Sequence, residues 1–173
     1  KQLAGGSGQQ IITFVEEPSS TTLWRVRPAN HGSQSEYPPD ASCQLAEPIP
    51  CGTIIRLTHA NTNRNLHSHA VESILSRQQE VTGYGQGDGK GDGGDNWKVE
   101  CSSSNSKHWK IGDSFRLRHM DTGKFLGTSK KTEFNDQTCG HNCPIMGHLE
   151  AFGRSSGDAN TLLQTEQGIY LKK

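Results

Sequence analysis

Gly52-Thr-Ile-Ile-Arg-Leu-Thr-His59 returns 60 residues later as Gly112-Asp-Ser-Phe-Arg-Leu-Arg-His119. The Gly, the Arg-Leu step and the His keep their places. Asn61-Thr62-Asn63-Arg64 then matches Asp121-Thr122-Gly123-Lys124, and Leu66 matches Leu126. Further on, Val81-Thr-Gly-Tyr84-Gly85 matches Leu149-Glu-Ala-Phe152-Gly153. A part of a third copy lies upstream: Gln9 to Thr13 resembles Gln78 to Thr82, which sets Trp24 against Trp97. Repetition at a fixed period of this size marks an architecture built from like units. Each copy reads as a β-hairpin. Alternation places Ile55 and Leu57 on one face, with Phe115 and Leu117 as counterparts. The tetrads open with a side-chain acceptor and carry at the third place a residue that tolerates positive φ. Burial is expected for Ile55, Leu57, Leu66, Phe115, Leu117 and Leu126. No stretch holds a 3.6-residue apolar stripe, so the fold class is all-β. The first copy lacks its opening hairpin, and the chain, which starts at Lys1 without Met, is expected to be a processed chain or a fragment.

Composition agrees with a turn-rich single domain with a thin core. Hydrophobic residues make up 30% of the 173, while 20 are Gly. The 18 basic and 18 acidic residues cancel. A neutral chain has no charge reason to stay unfolded, and no basic excess to hold nucleic acid. No apolar run approaches the ~20 residues that cross a bilayer, so no membrane insertion is expected.

Five cysteines in so polar a chain point to an oxidising compartment. Cys43 and Cys51 enclose a loop stiffened by Pro48 and Pro50, and a disulfide between them is expected. Cys139 and Cys143, with three residues including His141 between them, are the second expected bridge. Half of a zinc site is the competing reading there. Cys101 is left without an assigned partner. In His67-Ser68-His69 both imidazoles share a strand face and could reach one metal, with His59 or an Asp as third ligand. Hydrogen bonding across the hairpin is the reading favoured, and no metal, cofactor or catalytic residue is expected. Gly85 to Asp95 is glycine-rich, but its carboxylates miss calcium-loop spacing, so it reads as a flexible surface loop. No nucleophile elbow, zinc-protease or dinucleotide motif occurs.

Leu66-His67-Ser68-His69, Gln79-Glu80-Val81 and Asp95-Asn96-Trp97 together resemble the MIR domain, found in protein O-mannosyltransferases and in inositol-trisphosphate and ryanodine receptors. Ser7-Gly8-Gln9-Gln10, the Cys43 to Cys51 loop and Glu166-Gln-Gly168-Ile169-Tyr170 extend the resemblance to the stromal cell-derived factor 2 family. It implies a β-trefoil of three MIR repeats, over residues 1–51 (incomplete), 52–111 and 112–173, in one domain. It also implies an endoplasmic reticulum lumen address and a non-enzymatic part in protein quality control. The partners implied are a lumenal J-domain co-chaperone and the Hsp70 BiP. The departures are Leu126-Gly127-Thr128-Ser129 where the His-Ser-His signature would recur, Leu162 or Leu163 in place of Trp, and the cysteine insertion around His141. The C-terminus carries no retention tetrapeptide.

The alternative reading is a trefoil that binds mannose-type glycans. Such modules stack sugars on exposed aromatics. Trp24 and Trp97 read as core, which leaves Trp109 as the aromatic expected at the surface. Candidate binding residues are therefore Trp109, His141, His67 and His69. The loops 27–50, 85–96 and 129–147 are the expected recognition surface of a monomer, with 129–147 favoured.

Overall fold

The computed structural model describes residues 6–29, 47–88 and 90–168. Twelve strands carry it: β1 Gln10–Ile11, β2 Thr13–Phe14, β3 Trp24–Pro28, β4 Ile54–His59, β5 Asn65–Glu72 and β6 Gln79–Tyr84 in the first half. The second half supplies β7 Trp97–Cys101, β8 Ser114–His119, β9 Phe125–Gly127, β10 Leu149–Glu150, β11 Phe152–Arg154 and β12 Leu163–Gln164. Among the described residues the one α-helix, α1 (Asp136–Cys139), is a single turn. None of their helices is long and apolar enough to cross a membrane.

Antiparallel pairing runs β4–β5–β6–β11–β9–β8–β7 and returns from β7 to β4. Seven strands thus close a barrel-like sheet with no free edge inside the ring. β1 adds to β6, β3 to β4 and β12 to β8 at its margins. Closure brings the apolar faces of the hairpins into one cluster of Ile55, Leu66, Val81, Trp97, Val99, Phe115, Leu117, Leu126 and Ala151. Five of the six core residues expected from alternation are buried. Leu57 is half-buried: it lies opposite Val26 on the marginal strand β3 and packs on the rim of the cluster. Trp97 is fully buried and donates Nε1–H to the Leu66 carbonyl at 2.9 Å.

Turn chemistry sets the hairpins. Asn63 (φ 50°) and Gly123 (φ 68°) take up the left-handed conformation at the third place of each tetrad. Short 3-10 turns at Ser20–Thr22, Gly93–Asp95 and Ala159–Thr161 precede β3, β7 and β12, capped by Ser19, Asp92 and Asp158. Trp24 lies opposite His59 as Trp97 lies opposite His119. Leu163, rather than Leu162, takes the place of the missing Trp: it lies opposite Phe115 as Trp97 lies opposite Ile55.

The cysteines depart from expectation. Cys51 is bonded to Cys101, not to Cys43, with their Cα atoms 5.7 Å apart. Barrel closure explains the exchange. Gly52 N–H donates to the Val99 carbonyl and Val99 N–H to that of Thr53, which sets Cys51 against the end of β7. Cys101 therefore has a partner that no local spacing reveals. Cys43 lies outside the described residues, as does most of the 27–50 loop. Cys139 and Cys143 are joined to each other, leaving no thiolates there for zinc.

Candidate functional site

β5 places Leu66 in the barrel core and turns His67 and His69 to the opposite face, as the two-residue period requires. There they line an open cleft of about 470 Å³ together with Gln9, Tyr84, Asp92 and Asp121. His67 stacks on Tyr84 with ring centroids 4.5 Å apart.

A continuous polar chain crosses the cleft wall. Asp95 Oδ1 lies 2.9 Å from His67 Nδ1, and His67 Nε2 lies 3.3 Å from His69 Nδ1. His69 Nε2 lies 2.9 Å from Glu80 Oε2. Ser7 closes the far end, donating its Oγ–H and its N–H to the same Glu80 oxygen at 2.7 and 3.2 Å. Asn65 Nδ2 and Asp92 N–H donate to the other oxygen of Asp95. Asp95 and His67 are buried; His69 is one-quarter exposed. Burial pushes the Asp95 carboxyl above the ordinary carboxylate range, opposed by the bonds from His67 and Asn65 and reinforced by nearby Asp92.

The glycine-rich stretch read as a flexible loop is, at its C-terminal end, part of this wall. A Cβ on Gly94 would stand 2.4 Å from His67 Cε1, so only glycine lets the capped turn close on the imidazole. Asp95 at the end of that turn thereby reaches His67.

His59 and His119 occupy equivalent sockets, that of His119 in the cleft wall. His59 Nε2 donates to the Thr21 carbonyl, and His119 Nε2 to that of Gly94, both at 2.9 Å. Each Nδ1 then accepts from the threonine of its tetrad, Thr62 or Thr122, at 2.9 Å. Trp24 and Trp97 pack against the two imidazoles. Burial lowers the pKa of His119, against the pull of the Gly94 carbonyl and Asp121. His59 is thus fixed in its own socket and is no third ligand for the His67 pair.

Trp109 is not the exposed platform expected from the sequence. It is half-buried, packs against the core and holds its ring 4.9 Å from Phe115. His141 is exposed, far from saturated by its 3.8 Å approach to Asp136. The structure therefore unites His67 with His69 and leaves Trp109 and His141 apart from them. Asp95 and Glu80, the two carboxylates of the chain, stand 28 and 11 residues from their histidines, and no local motif linked them.

Residues 3–109 match the family model described as the MIR domain. The chain belongs to the MIR-domain family. Within it the chain is a homologue of the stromal cell-derived factor 2 proteins. It is 36% identical over 168 residues to the mouse stromal cell-derived factor 2-like protein 1, covering 96% of this chain and 66% of that protein. The MIR-domain protein described here thus spans just under two thirds of that relative's length. Its fold is similar to the crystal structure of the SDF2-like protein from Arabidopsis thaliana, with TM-score 0.80, 30% identity, and 98% and 84% of the two chains covered. It is also similar to part of the S. cerevisiae protein O-mannosyltransferase Pmt1-Pmt2 complex bound to the sugar donor. There the TM-score is 0.73 and identity 27%, over 93% of this chain and 21% of the other.

Proposed function

We propose that this protein is a non-enzymatic accessory factor of the endoplasmic reticulum lumen that acts in protein folding and quality control. Its partners on this reading are a J-domain co-chaperone and the lumenal Hsp70. The observation that carries it is homology along 96% of the chain to stromal cell-derived factor 2-like proteins. Two disulfides fit an oxidising compartment. In the polar chain of the cleft the imidazoles are engaged with each other and with carboxylates, and its hydroxyl, that of Ser7, bonds to Glu80 rather than to an imidazole, which supports the non-enzymatic reading.

The scaffold on this reading is a β-trefoil of three MIR repeats over 1–51, 52–111 and 112–173. Its support is the capped turn and strand that occur three times, and the matched sockets of His59 and His119. The docking surface is 129–147, an insertion stapled by Cys139–Cys143 and anchored by the buried Phe134. A pull-down from lumenal extract with the intact protein and with a variant shortened over 129–147 is the test. Recovery of Hsp70 and its co-chaperone should fall with the shortened loop. Equal recovery by both would remove the loop from the account, and recovery by neither would remove the function.

The fold match to the sugar-donor-bound mannosyltransferase complex favours a second reading, binding of mannose-type glycans. The cleft beside Tyr84, Asp92 and Asp121 offers an aromatic face and acceptors for it. A glycan array separates the readings: mannose-specific binding without co-chaperone recovery supports the second.

A further inference from the structure

The sequence favours hydrogen bonding across the hairpin over a metal at His67-x-His69. The structure supplies an orientation for both rings. Metal-bound histidines donate their outer N–H to a carboxylate or carbonyl, which fixes the ring and its tautomer. Both rings here meet that condition, His67 through Asp95 and His69 through Glu80. With the outer nitrogens donating, His67 Nε2 and His69 Nδ1 face each other as the two inner nitrogens.

Their separation is 3.3 Å. That is at the long end of hydrogen-bonding separations. It is the distance between two nitrogens each about 2.0–2.1 Å from a tetrahedral ion, which works out at roughly 3.3–3.4 Å. With both outer N–H groups given to carboxylates, the two inner lone pairs face the same gap, where a cation can take up both.

We propose that His67 Nε2 and His69 Nδ1 form a site for a divalent transition-metal ion of the zinc class, with Asp95 and Glu80 as its orienting carboxylates. Imidazole donors select such ions over calcium and magnesium. A neighbouring donor set, Asp92 and Asp95 within 4.8 Å of each other and of His67, competes less well. His67 Nδ1 is already spent there on Asp95 at 2.9 Å. The remaining coordination positions lie towards the open cleft, where water or a carboxylate of a bound partner completes them.

Calorimetric titration of the folded protein with zinc is the test, repeated in a Cys43→Ser background so that no thiol at that position supplies a ligand. One equivalent should bind, read from the stoichiometry of the heat. His69→Ala, at the more exposed of the two positions, should weaken binding at least 100-fold. Glu80→Gln should weaken it roughly 10–100-fold, as loss of an outer carboxylate does. His141→Ala should change nothing. Should a variant fail to fold, cobalt titration of the unmodified protein reads the same site through its tetrahedral absorption bands. No one-to-one uptake at millimolar zinc, or uptake indifferent to His69→Ala in folded protein, would overturn the proposal.

Discussion

His119 shows how a single buried side chain makes this protein sensitive to acid. Its Nε2–H is given to the Gly94 carbonyl, and its Nδ1 lone pair is filled by the Thr122 hydroxyl. Protonation would force Thr122 to turn away, in a socket that burial already makes hostile to charge. Asp121 and Asp95 favour the charged form and His67 opposes it, yet the folded pKa stays below the ordinary 6.5. The sign follows. Above pH 6.5 neither state takes the proton and His119 contributes nothing to pH dependence. Below it the unfolded chain is protonated while the folded one resists, so stability falls with acidification. The slope due to this residue stays below the roughly 1.4 kcal/mol per pH unit of one full proton. Urea unfolding between pH 7.5 and 5 should show that slope reduced in His119→Gln; an unchanged slope would assign the effect elsewhere. Glu150 is a buried residue with a different task. Its two buried oxygens accept the Leu75 and Ser76 N–H groups at 2.7 and 2.8 Å. Glu150→Ala should cost about 2–4 kcal/mol in chemical denaturation, since two backbone donors lose a charged acceptor. The histidines were legible in the sequence as hydrogen-bonded groups. Their partners were not: Glu80 and Gly94 meet His69 and His119 across hairpins whose register no local motif states, and Asp95 reaches His67 from the turn before β7, 28 residues on.

Elements add constraints that no single residue carries. The hairpins β4 and β8 were legible because the period-2 pattern and the turn tetrads are local. The Cys51–Cys101 bridge was not, since it joins the approach to β4 with the end of β7 across 50 residues. The Pro-stiffened spacing of Cys43 and Cys51 pointed to the wrong pair because it weighed loop stiffness without the strand pairing that sets Cys51 beside β7. Peptide mapping of the unreduced protein should return Cys51 linked to Cys101. By chain entropy the long bridge contributes about 4 kcal/mol and the Cys139–Cys143 ring about 2. Replacing Cys51 and Cys101 by Ala should therefore lower the melting temperature more than replacing Cys139 and Cys143. The glycine-rich turn before β7 makes a similar demand. Gly94→Ala should displace His67, and loss of its ring contact with Tyr84 would show as altered imidazole and Tyr ring proton shifts in NMR spectra.

At the scale of the whole molecule, a thin apolar core suffices because seven strands close on one cluster and the polar residues are spent in sockets and caps. The repeat of hairpins gave away this plan. The insertion at 129–147 did not belong to it, and for that reason it stands free to carry a partner-specific contact on a rigid barrel. On the proposed function, this scaffold serves a lumenal chaperone complex through contact with the J-domain co-chaperone. Sedimentation velocity of the purified, oxidised protein with the purified lumenal J-domain co-chaperone tests it most directly. The account predicts a monomer alone and a heavier stoichiometric species on mixing, diminished when 129–147 is shortened. Independent sedimentation of the two proteins at all mixing ratios would contradict it.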